Sequence, residues 1–371
     1  MSFESYRSVR PWAKAIEQAV VLKKMPPWFA DPAFGQFSND PSLKKEELAT
    51  IVEWVKTGAA EGEVKSSRTL RAPLPRDSGW SIGMPDAVFS MPQAFRVPKS
   101  GEIDYQYVIV PTNFTEDRWV DRVEVLPSNR AAVHHAVIYI REPGSSWLKD
   151  RPKAALFTLP TEDPGSFTTS DILYTYTPGS VNDQWPKGMA KLVKAGSELV
   201  FQIHYTATAS GGNDQTRVGV KFAREKPEKR VLTLQLNDDK FVIPPGAPDV
   251  RVTAWGTLPN DALLLSLFPH MHLRGKSFEY RINGATILKV NDYDFHWQLT
   301  YRLKDPMPLK AGTKIECVAT FDNSARNPRN PDPTQAVRFG FQSTEEMMIG
   351  FFDVAVPVGV DKASFFVRGL R

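Results

Sequence analysis

The six histidines are the residues of this 371-residue chain best suited to chemistry, and five of them fall in three short apolar segments: AVHHAVIYI, FQIHYT and LLLSLFPHMHL. His270 and His272 are separated by one residue, so on a strand both imidazoles face the same side. Two nitrogens on one face are a ready chelate for a transition metal. Pro269 just before them lacks a ladder donor, which suggests a strand end or edge. His134 and His135 pose the opposite problem. Adjacent side chains on a regular strand diverge, so both can reach one ion only at a bulge, a bend or a strand end. His204 points to the same face as Gln202, while Phe201, Ile203 and Tyr205 pack on the other. It is placed to complete a three-nitrogen site from a second strand.

Neutral imidazoles suit zinc, copper, nickel and iron alike. The HExxH spacing of a zinc protease is absent. A thioether would tip the choice toward Cu(I), and the candidates are Met347 and Met348 in STEEMMIGFFDV. The plain alternative is that both methionines fill gaps in a core. For the histidines it is that they are ordinary hydrogen-bonded side chains.

Strands must position these groups. DYQYVIVP (104–111), AVHHAVIYI (132–140), ELVFQIHYTA (198–207) and RVGVKFA (217–223) are rich in β-branched and aromatic residues. The texture resumes at RVLTLQL (230–236) and runs through ALLLSLF, KSFEYRI, HWQLTYRL, TKIECVATF and MMIGFFDVAV. Thirty prolines and 23 glycines supply turns between them. Many short strands without intervening helices imply a mainly β protein, two tandem antiparallel sandwiches of jelly-roll type. The expected domains are 83–228 and 229–371, divided at the charged run EKPEKR. Before them stand a helical segment, 1–62, and a polar linker, 63–82. Val9 to Lys24 has helical apolar spacing and ends at Met25-Pro26-Pro27. A second helix is expected from about Asp40 to Gly58.

Apolar content of 42% and charge of 24% are ordinary globular values. A dispersed net charge of +4 argues against a nucleic-acid partner, and no apolar run is long enough to span a bilayer. One cysteine, Cys317, excludes an intrachain disulfide.

The order HH, QxH, HxH, EM resembles the copper type II, ascorbate-dependent monooxygenases, the family of the peptidylglycine α-hydroxylating and dopamine β-monooxygenases. The resemblance covers roughly residues 85 to 355. It implies two separate copper ions. His134, His135 and His204 would ligate the electron-transferring one, with Gln202 beside them as a cofactor-binding residue. His270, His272 and Met347 would hold the one that binds dioxygen, Met347 being chosen because Glu346-Met347 matches the family's Glu-Met pair. His296 matches no family ligand and is expected to be structural or supporting.

The implied reaction is hydroxylation of a C–H bond of a small organic substrate by dioxygen. Two electrons would come from ascorbate or a cytochrome. The alternative is a copper-binding or electron-transfer protein of the same fold. The sequence also departs from the family. Its animal members are braced by disulfides, which a single cysteine cannot supply. The arginine and tyrosine that hold a peptide carboxylate are here Phe268 and Phe351, so an apolar or aromatic substrate is expected.

KKMPPW followed by a helix ending EWVKTGA resembles the distal half of a class I cytochrome c, with Met25 in the axial position. CxxCH is missing, so this chain cannot attach a c-type haem. MSFESYRSVR lacks an apolar signal region. The economical reading is that Met1 is an internal methionine, and a periplasmic or secreted location is then expected over a cytoplasmic one.

Overall fold

The computed structural model describes residues 5–62, 79–160, 170–180, 182–362 and 365. The chain falls into two units: Met1–Phe29 with Asn39–Asp77, and Ala30–Ser38 with Ser78–Arg371.

The first unit is helical and its helices are shorter than their apolar spacing suggests. Regular α-helix spans Ala13–Val21, preceded by the turn Tyr6–Val9 and a 3-10 turn at Arg10–Trp12. Pro11 has no N–H to donate, so it sits where a helix start tolerates it. Lys23 takes a φ of 54° and ends the run ahead of Pro26 and Pro27. The second helix is Lys45–Lys56, starting after Asp40 rather than at it. The Asp40 carboxylate is used in a local turn, accepting from Ser42 N–H at 2.8 Å. Glu47 instead reaches back to Lys44 N–H at 2.8 Å and caps the helix. Trp12, Leu22 and Met25 are exposed. Most of the expected 63–82 linker lies outside the described residues. Its last residues do not behave as linker, because Trp80 and Ile82 are buried against Leu126.

The second unit is mainly β, of the sandwich class. One long sheet runs through the strands Ala87–Ser90, Arg217–Phe222, Arg118–Leu126, Met189–Val193, Lys229–Asn237, Ile349–Pro357, Ala262–His270 and Tyr301–Leu309, in that spatial order. Strands up to Phe222 pair among themselves, and so do those from Lys229 on. The exception is a short parallel junction, Lys229 and Arg230 beside Met189 and Ala190. Each half is faced by its own four-stranded sheet. In the first half this comprises Gln106–Pro111, Glu198–Tyr205, Val133–Arg141 and Asp171–Tyr176. In the second it comprises Val250–Thr257, Lys314–Phe321, Gly275–Ile282 and Ala285–Val290.

Alternation explains the layers. Phe201, Ile203 and Tyr205 enter the first core with Val123, Val218 and Ile138. Val200 faces the other way and packs with Tyr105 and Tyr107. The second half closes as tightly at Gly350, where an added Cβ would collide with Cys317 Sγ. The halves are also tied by side chains. Thr177 Oγ1 donates to the Gln298 carbonyl at 2.6 Å, and Gln342 Nε2 donates to Asp104 Oδ1 at 3.0 Å. No helix among the described residues is long and apolar enough to cross a membrane.

Candidate metal centre

The strand Val133–Arg141 pairs with Glu198–Tyr205, and the register slips at one place. Val133 faces Tyr205 while His135 faces His204, leaving His134 as the extra residue. This bulge is what turns two adjacent imidazoles to one side. The rings of His134 and His135 lie 5.4 and 5.0 Å from that of His204. Their Nδ1 atoms approach to 3.3 Å. Two nitrogens each about 2 Å from one tetrahedral ion would be about 3.3 Å apart. Ligand atoms from the three histidines all lie within 4.8 Å of one another, and all three residues are buried.

The second set is built by sheet register. Tyr301–Leu309 stops pairing with the His270 strand at Leu267, so Pro269 has a strand neighbour, Gly350, on one side only. That is where a missing N–H does no harm. His270 faces Ile349 and Phe268 faces Phe351 across this ladder. By the same parity Met347 belongs to the His270–Ile349 face and Met348 to the opposite one. Accordingly Met347 lines the cleft that also contains His270 and His135, whereas Met348 is fully buried.

Hydrogen bonds fix which nitrogens of the second set are free. Gln298 Nε2 donates to the Phe295 carbonyl at 3.2 Å, so its Oε1 is the atom that meets His270 Nδ1 at 2.7 Å. An amide oxygen only accepts, so His270 Nδ1 carries the proton and Nε2 keeps a lone pair. His272 Nδ1 meets the Glu345 carbonyl at 3.3 Å, with the same consequence. Behind them Glu346 is wholly buried and accepts from the backbone N–H of His272 at 2.9 Å, Arg274 at 2.5 Å and Met347 at 3.3 Å. One carboxyl group thus locks the HxH turn to the methionine. Burial raises its pKa to about 8.

Burial also keeps the imidazoles neutral. It is the largest cause in every case, lowering His134 to about 3, His204 and His270 to about 4, and His135 and His272 well below the ordinary value. Neighbouring imidazoles add to it at all but His270. Neutral imidazole is the ligating form. His134 Nε2, His204 Nδ1 and His272 Nε2 are buried with no hydrogen-bond partner, an arrangement that costs free energy unless something binds there. The donors fit a soft or borderline transition ion: imidazole nitrogens and a nearby thioether, with no carboxylate in the three-histidine group.

Sequence reasoning placed these residues in two separate centres, one per sandwich. The structure sets the two groups against each other where the halves meet. The His135 and His270 rings are 5.8 Å apart, and His270 and His272 are 5.2 Å apart. Gln202 lines the same cleft but serves the tyrosines, donating to Tyr107 Oη at 2.7 Å.

Several contributors were not foreseen. Tyr105 stacks on His204 at 4.8 Å and its hydroxyl meets His135 Nε2 at 3.2 Å. Phe295 stacks on His134 at 4.2 Å and stands 6.1 Å from His272. His296, the exposed sixth histidine, lies 6.2 Å from His134 at the rim. Its segment, DYDFHWQL, also supplies Phe295 and Gln298, so the one unassigned histidine was the available signal.

A cleft with about 870 Å³ of empty space, open solvent at its mouth included, leads to this cluster. Phe268 and Phe351 stack at 5.7 Å on its wall, and Phe351 is 6.4 Å from His270.

No known protein family matches the chain, and no curated protein does. Among solved structures it is similar to recombinant peptide:N-glycanase F, at 10% identity over 76% of this chain and 99% of that one, with a TM-score of 0.35. It is also similar to PNGase F, a glycosylasparaginase from Flavobacterium meningosepticum, at 10% identity over 71% and 96%, TM-score 0.28. A third is the infectious bursal disease virus VP2 subviral particle, at 12% identity over 76% and 73%, TM-score 0.19. Scores this low say nothing about activity.

Proposed function

We propose that this chain is a copper-dependent monooxygenase that hydroxylates a C–H bond of a small apolar or aromatic molecule. One oxygen atom of dioxygen would enter the product and the other would leave as water, with two electrons from an external donor such as ascorbate. The observation that carries this reading is the gathering of five buried, neutral imidazoles, two of which, His135 and His270, line a cleft together with Met347. His134, His135 and His204 would hold one ion, and His270, His272 and Met347 the other. Bound copper supplies the one-electron chemistry that lets dioxygen react with a C–H bond. Imidazole and thioether donors favour its reduced state.

The protein's own residues supply position and exclusion. Gln298 and the Glu345 carbonyl orient His270 and His272, and Glu346 holds Met347 beside them. Tyr105 and Phe295 pack the first set against rotation. Phe268 and Phe351 give the substrate a flat apolar wall near His270.

The deciding experiment loads the purified chain with copper, removes excess, and measures oxygen uptake with ascorbate and a panel of aromatic substrates. Oxygen-dependent product carrying one labelled oxygen atom supports the reading. Retention of copper with no hydroxylated product would leave an electron-transfer or copper-binding protein. Failure to bind copper would remove the proposal altogether.

A further inference from the structure

We infer that the two donor sets form one binuclear compartment, so that ions bound in them interact instead of acting as isolated centres. The inference rests on the copper reading above and extends it. His135 belongs to the first set and His270 to the second, yet their rings are 5.8 Å apart, close to the 5.0–5.5 Å spacings within the first set. Among the described residues, a ring separation this small leaves no room for a strand, a helix or a layer of side chains between that pair. Both residues line the same cleft. Phe295 closes the compartment on another side, touching His134 of one set and standing beside His272 of the other.

The nitrogen geometry points the same way. His270 and His272 have Nδ1 engaged by Gln298 and Glu345, which leaves Nε2 as their free donor. In the first set the two adjacent histidines bring their Nδ1 atoms together, and His204 Nδ1 is unpartnered. Each set therefore has buried nitrogens with no partner, His134 Nε2 and His204 Nδ1 in the first and His272 Nε2 in the second. The halves are pinned in this relation by buried hydrogen bonding at the site itself, Thr177 to the Gln298 carbonyl, three residues beyond Phe295. Separation would have to break that contact and expose the cluster. A pair so placed can hold both electrons of a turnover within one compartment.

The test uses the whole chain and copper(II) alone, without substrate. Copper(II) is added in steps to two equivalents, excess is removed, bound copper is measured by elemental analysis, and unpaired spins are counted by electron paramagnetic resonance. The first equivalent should show its full spin count. With the second, the signal should broaden or fall well below the copper content, with a half-field transition from the interacting pair. His272→Ala should bind one equivalent and show one unbroadened spin. Circular dichroism on that variant would verify that it is folded.

Two bound coppers with every spin counted, unbroadened and without a half-field signal, would overturn the inference while leaving the copper reading intact. Binding of a single copper by the unaltered chain would overturn it too. A coupled pair persisting in His272→Ala would overturn the assignment of ligands. No bound copper at all would remove both the inference and the function it rests on.

Discussion

Acid should unfold the metal-free protein steeply between pH 6.5 and 4.5, and the histidine cluster sets the size of the effect. In the unfolded chain a histidine takes up a proton near pH 6.5. In the folded chain His134 does so only near 3, and His204 and His270 near 4, with His135 and His272 lower than ordinary as well. Between those limits the unfolded state binds more protons, so stability falls as pH falls, by about 1.4 kcal/mol per pH unit for each such histidine. Glu346 works in the opposite sense. Its folded pKa of about 8 lies above the usual 4.5, so its contribution to stability rises as pH drops through that interval.

Five histidines against one glutamate leave a net uptake of about four protons on unfolding, or about 5–6 kcal/mol lost per pH unit. That is comparable with the whole stability of an ordinary domain. Urea titrations in chelator at pH 7, 6 and 5, followed by tryptophan fluorescence, would measure it. His204→Leu should reduce the slope by about one proton, whereas a bound ion should raise stability without reducing the slope, because the folded imidazoles are already neutral and still take up protons once unfolding releases the ion. A net uptake below one proton between pH 6 and 5, or a slope unchanged in His204→Leu, would refute the description of these imidazoles as buried and neutral.

Other expectations follow from single contacts. Gln298→Leu strips His270 Nδ1 of its acceptor. Copper affinity should fall about 10–100-fold, measured by competition with a chelator, and Gln298→Glu should recover most of it. Met347→Ile, which keeps most of the volume of this buried side chain, should weaken Cu(I) binding with little change in the urea midpoint. Met348→Ala should keep the copper and lose about 2–5 kcal/mol of stability, because Met348 is fully buried on the core side. Phe351→Ala should raise the KM for an aromatic substrate more than it lowers kcat, since the ring forms cleft wall at 6.4 Å from His270. Gly350→Ala should cost about 1–3 kcal/mol by driving a methyl group into Cys317, as thermal melting would show.

Much of this was legible because a strand has a period of two. Phe201, Ile203 and Tyr205 went to the core, while Gln202 went to the cleft and His204 to the histidine cluster, as alternation alone requires. The same rule demanded a distortion at His134-His135, and the register slips there. Helix limits were less legible, because an apolar spacing does not say where capping wins. Asp40 spent its carboxylate on a local turn, and the helix waited for Glu47. The sequence pattern also carried no information on the distance between His135 and His270. That distance depends on how two halves dock, through contacts such as Thr177 with Gln298 that join residues 121 positions apart.

The same limit explains why DYDFHWQL yields, from sequence, a supporting role for His296 and none for Phe295 or Gln298. No residue in it stands at a ligand spacing, and its single histidine is exposed at the rim. Its contribution comes from what the docked halves bring within reach: Phe295 lies over His134 from the first half, while Gln298 holds His270 from the second. A segment that contacts both donor sets without ligating either is in the right place to keep them together. Local patterns can find residues that bind an ion, because ligands on one strand share its periodicity. Residues that set the spacing between two ions belong to the docking, and they become visible only when both halves are in place.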